Sequence, residues 1–334
     1  MKRRLIISSS PHVRTADSMP RIMWTVVVGL VPVVAAAVWF FGPSALLVIG
    51  ASLLGAMGAE YTLGKPGTWS DGSAMITGVL LGLTLPASFP MWMAFLGAAF
   101  GVGGGKILFG GLGSNVFNPA LFGRAFLQAA FPGAITLWAA PGTSWWQLKG
   151  DNFALPFMRP NTVHVVTSAT PLGAMKFEHH VTPVVELMFG RASGSLGETA
   201  GLVIILVGIW LAWRRVLDWR IPVAILATTT VFAELLHFVD PVHYADALFH
   251  TFSGGLLLGA VFMATDPVTC PTTPLGRWIF GIGIGVLVIV IRLWGGLPEG
   301  VMYAILLMNA VSPALNRVTQ PRVFGTARRL AVRS

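Results

Sequence analysis

The sequence predicts an all-α integral membrane protein with about ten transmembrane helices. They would form two inverted five-helix repeats, with a long outer loop between helices 5 and 6. Three observations predict this. Of 334 residues, 54% are hydrophobic and only 10% are charged, against about 25% charged in a soluble domain. Uncharged runs long enough to span a bilayer recur along the chain. Lysine and arginine gather on one side of the implied membrane. The mean hydropathy of +0.74 agrees. Together these figures exclude a soluble enzyme, a disordered chain and a disulfide scaffold. Cys270 is the only cysteine, so an internal disulfide and a multi-cysteine metal site are also excluded. The net charge of +9 reads as membrane topology rather than nucleic-acid binding. No cleavable signal is expected, because the polar stretch 8–21 separates Lys2, Arg3 and Arg4 from the first apolar run.

The elements follow from charge gaps and turn residues. Residues 22–59 carry no charge and are interrupted by Gly42 and Pro43, which predicts helices over about 22–41 and 44–63. The uncharged run 72–105 breaks between Pro86 and Pro90, giving helices near 72–86 and 89–109. A fifth helix starts after Asn118 and Pro119 and ends near Thr136. A polar stretch follows. Five more apolar segments lie at about 197–213, 221–238, 247–264, 276–294 and 299–313. The resulting plan is an N-terminal segment 1–21, a first repeat 22–136, an outer loop 137–195, a second repeat 196–313 and a basic tail 314–334.

With the N-terminus in the cytoplasm, 16 of the 22 basic residues fall on the inner side and 4 on the outer. That bias predicts both termini inside. Five spans per half is an odd number, so two similar halves would run in opposite directions. A faint echo supports halves of this kind: GVLLG at 78–82 matches GLLLG at 255–259, and GGLG at 110–113 matches GGLP at 295–298. Inverted repeats place ligand sites at their interface, near interrupted helices.

Few residues carry obvious chemistry. Thr167, Ser168, Ala169, Thr170, Pro171 and Leu172 form a loop hexapeptide that reads first as an ordinary turn. Asn115 and Asn118 offer both donors and an acceptor to a ligand edge. Asn118 before Pro119 is equally a helix cap. Glu60, Asp71, Glu234, Asp266 and Glu299 lie near helix ends, where snorkelling to the interface is the simplest account. Asp71 and Glu60 are expected to pair with Lys65 or an arginine. Arg124 sits within helix 5, where a cation is costly; it would bind a ligand oxygen or pair with a carboxylate. His237, His243 and His250 gather with Asp240 and Asp246, but their spacing matches no standard metal site. The glycines at 101 and 103–105 suit close helix packing, and Trp138, Trp145, Trp146 and Trp219 suit an interfacial belt. Cys270 reads as a plain thiol.

Six stretches in order then resemble one family. They are SSSPH at 8–12 with RIM at 21–23; DGS at 71–73 with TGVLLG at 77–82 and Leu85, Pro86; KILFGGLGSNVFNPA at 106–120; GSLGE at 194–198; FMATDP at 262–267; and LMN at 307–309. The sequence resembles the family of the Rnf complex D subunit and the B subunit of the sodium-pumping NADH:quinone oxidoreductase. Its length favours the Rnf branch. The resemblance implies a bacterial inner-membrane translocase subunit that carries electrons between ferredoxin and NAD, alongside flavin and iron–sulfur subunits.

It also implies FMN held by a phosphoester on Thr170, attached on the outer side by a flavin transferase, with Ser168 and Ala169 as motif neighbours. The motif usually reads Asp, two variable residues, Ser or Thr, Gly, Ala, Thr. Here His164 replaces the Asp and Ser168 replaces the Gly, while Thr167 fits. A second, non-covalent flavin, riboflavin, is implied at Asn115 and Asn118; Arg124 stands as a separate candidate contact for a flavin oxygen. The alternative is a small-solute channel or transporter of urea-transporter-like fold without redox activity. No metal and no nucleic acid are expected.

Overall fold

A computed structural model describes residues 18–139, 145–156, 169–190, 192–241 and 243–321. The described residues are helical and contain no strand. The first half contains α1 (Met19–Phe41), α2 (Pro43–Leu63), α3 (Ser73–Leu83), α4 (Met91–Val102), α5 (Pro119–Ala130) and the single turn α6 (Pro132–Ile135). Two short helices follow, α7 (Pro171–Glu178) and α8 (Val184–Met188). The second half contains α9 (Gly201–Trp213), α10 (Arg220–Val239), α11 (Ala247–Phe252), α12 (Leu256–Leu258), α13 (Pro274–Trp294) and α14 (Val301–Val318). Five of these, α1, α2, α10, α13 and α14, are long and apolar enough to cross a membrane.

The turn between α1 and α2 shows why its residues are Gly and Pro. Gly42 takes φ 68°, and its N–H donates to Val38 O at 2.8 Å. A Cβ there would stand 2.2 Å from Trp145 O, so a side chain is excluded by contact as well as by conformation. Pro43 then starts α2 where a missing N–H costs nothing.

Within each half the packing follows one order. α2 lies most extensively on α4 and α3, and α4 on α5; α10 lies on α13 and α11, and α13 on α14. The halves meet where α1 crosses α9 and where α5 meets α14. Many large apolar side chains remain on the outside, including Trp39, Leu54, Leu206 and Phe238. A soluble monomer rarely exposes so much apolar surface, whereas a bilayer favours it.

Two helices are interrupted, one in each half. α3 stops at Leu83 rather than near Pro86, and residues 84–90 run as buried irregular chain with Leu85, Ala87 and Phe89 fully enclosed. Their carbonyls find partners elsewhere: Leu83 O and Leu85 O accept from Gly197 N and Leu196 N, and Asn152 Nδ2 donates to Ala87 O and Phe89 O. The second break falls inside the segment expected to be one helix over 247–264. α11 ends at Phe252, and Gly254 takes φ 67° before α12 begins. Arg292 donates to His250 O and Ser253 O, and Glu299 Oε1 accepts from Gly255 N at 2.6 Å. Non-helical backbone survives at such depth only when protein groups satisfy it in this way.

Two π-helical segments stand out: Gly103–Ile107 continues α4, and Gly259–Met263 continues α12. In each, an N–H reaches back five residues, Leu108 N to Gly103 O and Ala264 N to Gly259 O. Such bulges frequently mark functional sites. The ends of three helices also depart from expectation. Helix 5 ends at Ala130 rather than near Thr136, because Pro132 disfavours helical backbone at Phe131. The last helix starts at Val301 and runs through Pro313 to Val318. The first starts at Met19, with Pro20 in its opening turn.

Candidate functional site

Two cavities lie at opposite ends of the helices, and each is lined by both halves of the chain. The first sits where α5 ends and α14 begins. Arg124, Thr136, Trp138, Thr170, Glu198 and Glu299 are among its lining residues. Thr170 and Arg124, singled out separately in the sequence, therefore share one cavity.

Thr170 is positioned by local chain chemistry. It is the N-cap of α7, with extended backbone, and its Oγ1 accepts from Gly173 N at 3.1 Å. Pro171 fixes the first helical residue. Leu172 and Met175 bury one face of α7 against Leu187, Ala245 and Phe249. Lys176 ties down the other end. Its Nζ donates to Arg292 O at 2.8 Å, Gly295 O at 2.5 Å and Leu297 O at 3.2 Å, around the C-terminus of α13. A cation suits that end of a helix dipole. Thr170 is left half-buried at the cavity, with Ala169 exposed beside it. His164, Thr167 and Ser168 lie outside the described residues.

Charge is concentrated deeper in the same cavity. Arg124 pairs with Glu299 Oε2 at 3.0 Å, and Glu299 Oε1 holds the broken backbone at Gly255. Ser195 Oγ donates to Glu198 Oε1 at 2.8 Å. Arg292 is almost wholly buried on the far side of Gly254. The Nε of Arg124 is a buried donor without an acceptor among the described residues. Glu198 is legible in the sequence only as part of the 194–198 stretch. Its Ser195-to-Glu198 spacing is that of a capping box, a signal that could have placed it.

The second cavity lies between the two π-helical segments. Ser73, Lys106, Asn115, Asn118, Phe262 and Asp266 are among its lining residues. The π turn carries Lys106 inward, where its Nζ meets Glu60 Oε2 at 2.8 Å and Ser73 Oγ at 2.6 Å. Ser73 Oγ in turn donates to Asp71 Oδ1 at 2.5 Å. Glu60 is 2% exposed, so it neither snorkels nor pairs with Lys65. Lys65 donates to Gly110 O instead.

Asn118 bonds backbone at both ends of its amide. Its Oδ1 caps α5 through Ala120 N and Leu121 N, and its Nδ2 donates to Met263 O at 3.2 Å in the other half. Asn115 differs. Its Nδ2 donates to Phe117 O, but its buried Oδ1 has no donor among the described residues.

His237 and His243 line one cavity with His179 and Asp246, and His250 does not. His237 Nδ1 bonds Tyr244 O at 2.6 Å, His243 Nδ1 bonds Asp240 Oδ2 at 2.7 Å, and His250 is enclosed apart from both. Among the described residues no group of three metal-capable side chains is present.

Such a bundle, with interrupted helices, buried charges and a cavity at each end, defines a multi-pass membrane protein. The model of the NQR2, RnfD, RnfE family matches residues 6–325, and the chain belongs to that family. The D subunit of the proton-translocating ferredoxin:NAD(+) oxidoreductase complex of Clostridium ljungdahlii is 40% identical, covering 96% of each chain. The D subunit of the ion-translocating oxidoreductase complex of Stutzerimonas stutzeri is 42% identical over 92% of this chain and 93% of its own. The D subunit of the Na(+)-translocating ferredoxin:NAD(+) oxidoreductase complex of Acetobacterium woodii is 37% identical over 97% and 96%.

Proposed function

We propose that the chain is the electron-carrying membrane subunit of an ion-translocating oxidoreductase complex working between ferredoxin and NAD, with FMN esterified to Thr170 and riboflavin in the opposite cavity. The relatives' names supply the complex. The observation that carries the flavin reading is Thr170 itself: a half-buried hydroxyl at a cavity where the buried donor Arg124 Nε lacks an acceptor. An anionic, oxygen-rich group tethered at Thr170 suits that donor. At the other end, the unpartnered Asn115 Oδ1 suits the N–H of a neutral flavin ring, while Asn118 holds the wall by capping α5 and bonding Met263 O.

A bound flavin supplies reversible electron uptake. The chain's own residues tether it, orient it and exclude water from it. Lys176 holds the Thr170-bearing helix against α13, and the Arg124–Glu299 pair joins the first half to the second beneath it. The recurring order of helix packing and the two interrupted helices favour ten spans in two inverted repeats. The positive-inside bias favours cytoplasmic termini and an outward Thr170, open to a flavin transferase. Flavin and iron–sulfur subunits would be its redox partners.

The test is ultraviolet fluorescence of the denatured protein band after co-expression with a flavin transferase. A fluorescent wild-type band that disappears in Thr170→Ala is expected. A dark wild-type band, or a bright Thr170→Ala band, overturns the assignment.

A further inference from the structure

The first turn of α1 and the last turn of α9 lie side by side at the end of the molecule that also holds the Asn115 cavity. Their contact is close at Gly29, where a Cβ would stand 3.2 Å from Val207 Cγ1 and 3.5 Å from Leu211. Beside this crossing is a groove lined by Arg21 and Thr25 from α1 and by Trp213, Arg214 and Arg215 from the end of α9, with Ile22 and Val216 as its floor. Three guanidinium groups thus line one groove, and among the described residues that line it none is acidic. The acidic residue nearest to Arg215 in sequence, Asp218, is engaged by Arg220 and Arg277, and Asp17, four positions before Arg21, lies outside the described residues. The side chains of Arg214 and Arg215 have no hydrogen-bond or ion-pair partner among the described residues. Arg215 also takes φ 58°, a conformation that a glycine normally supplies at a helix end.

The groove opens onto apolar surface. Counting back from Trp213, Ile209 and Leu206 continue the same face of α9 and are 63% and 66% exposed. On α1, Val28 follows Thr25 on one face and is 57% exposed. Trp213, 80% exposed, stands where the basic end meets these apolar lanes. Tryptophan favours that level of a bilayer, and basic pockets between helix ends favour lipid phosphates.

We infer that this groove is a binding site for one anionic phospholipid of the phosphatidylglycerol class. Its phosphate lies among Arg21, Arg214 and Arg215, and its acyl chains run along Val28 on α1 and Ile209 and Leu206 on α9. A guanidinium fork matches phosphate oxygens in pairs, which an ammonium cannot do. One lipid molecule satisfies both chemistries in the order in which the surface presents them: charge at the helix ends, apolar lanes beyond. The lipid would brace the α1–α9 contact, one of the places where the two halves meet.

The test uses native mass spectrometry of the full chain, purified in detergent, delipidated and titrated with phosphatidylglycerol, phosphatidylcholine or inorganic phosphate. Arg214→Gln combined with Arg215→Gly removes two guanidiniums and suits the backbone at 215; thermal unfolding in detergent checks that it folds. The wild type should bind one phosphatidylglycerol, and the variant should bind it roughly tenfold more weakly. Phosphatidylcholine binding should be weak and equal in both. Arg214→Lys should fall between, because it keeps the charge and loses the fork. Equal phosphatidylglycerol binding by wild type and variant would overturn the site. So would phosphatidylcholine binding as tightly, or displacement of the lipid by equimolar inorganic phosphate, which would mark a free-anion site.

Discussion

The cavities at the two ends of the bundle handle polarity in opposite ways. At the Asn115 end, charge is closed off: Lys106 is consumed by Glu60 and Ser73, Asn118 bonds backbone at both ends of its amide, and among the described residues the acceptor Asn115 Oδ1 is left over. At the Thr170 end, charge is left open: Arg124 keeps a spare donor, and a hydroxyl stands at the cavity. The first arrangement suits a neutral ring that brings an N–H. The second suits an anionic group fixed in place. Burial alone does not separate these sites; the sign of the unsatisfied hydrogen-bonding atom does.

Substitutions can break this comparison, and the largest effect is expected at Lys106. Lys106→Met strands Glu60, 2% exposed, and should cost about 3–5 kcal/mol in thermal unfolding in detergent. Arg124→Met should cost less, about 1–3 kcal/mol, because Glu299 keeps Gly255 N and the pair is partly open. Equal losses would mean that the two ends are electrostatically alike.

Gly254→Ala comes next. Its φ of 67° and a Cβ 2.8 Å from Leu172 Cδ1 should together cost about 1–3 kcal/mol. Because Leu172 is two residues from Thr170, the covalent flavin yield should fall too, which gel fluorescence would read. Lys176→Met should cost about 1–2 kcal/mol and expose α7 to limited proteolysis, while Thr170 remains chemically intact. Unchanged proteolysis would show that the strap is dispensable.

The smallest effect is expected at Cys270, on the Asn115 side. Burial, and then the neighbouring Asp266 carboxylate, push its thiol up to about 12. The thiol is therefore protonated at pH 8, and maleimide should label it only after denaturation. Rapid labelling of the folded protein would mean that this end is open.

Most of the helical plan is legible in the sequence because charge gaps and Gly–Pro pairs are strong signals over 20-residue runs. What the sequence hides is long-range. The break at Ser253 and Gly254 looks like an ordinary apolar segment until Arg292 and Glu299, about 40 positions away, are seen to satisfy it. The Lys106–Glu60 pair, in place of the expected Lys65 partner, is hidden for a related reason. A π turn rotates Lys106 inward, and no local periodicity announces a π turn. Arg124 is legible as an anomaly, a cation inside a helix, but its partner is not. Asn118 offers two roles in the sequence, and its structural role accounts for both ends of its amide.

The most direct test is a flavin partition of purified wild type, Thr170→Ala and Asn115→Leu. Acid precipitation releases non-covalent flavin and retains the covalent kind in the pellet. The two-site account predicts a crossed pattern: Thr170→Ala loses only the retained flavin, and Asn115→Leu loses only the released one. Loss of both flavins in either variant, or of neither in both, would contradict it.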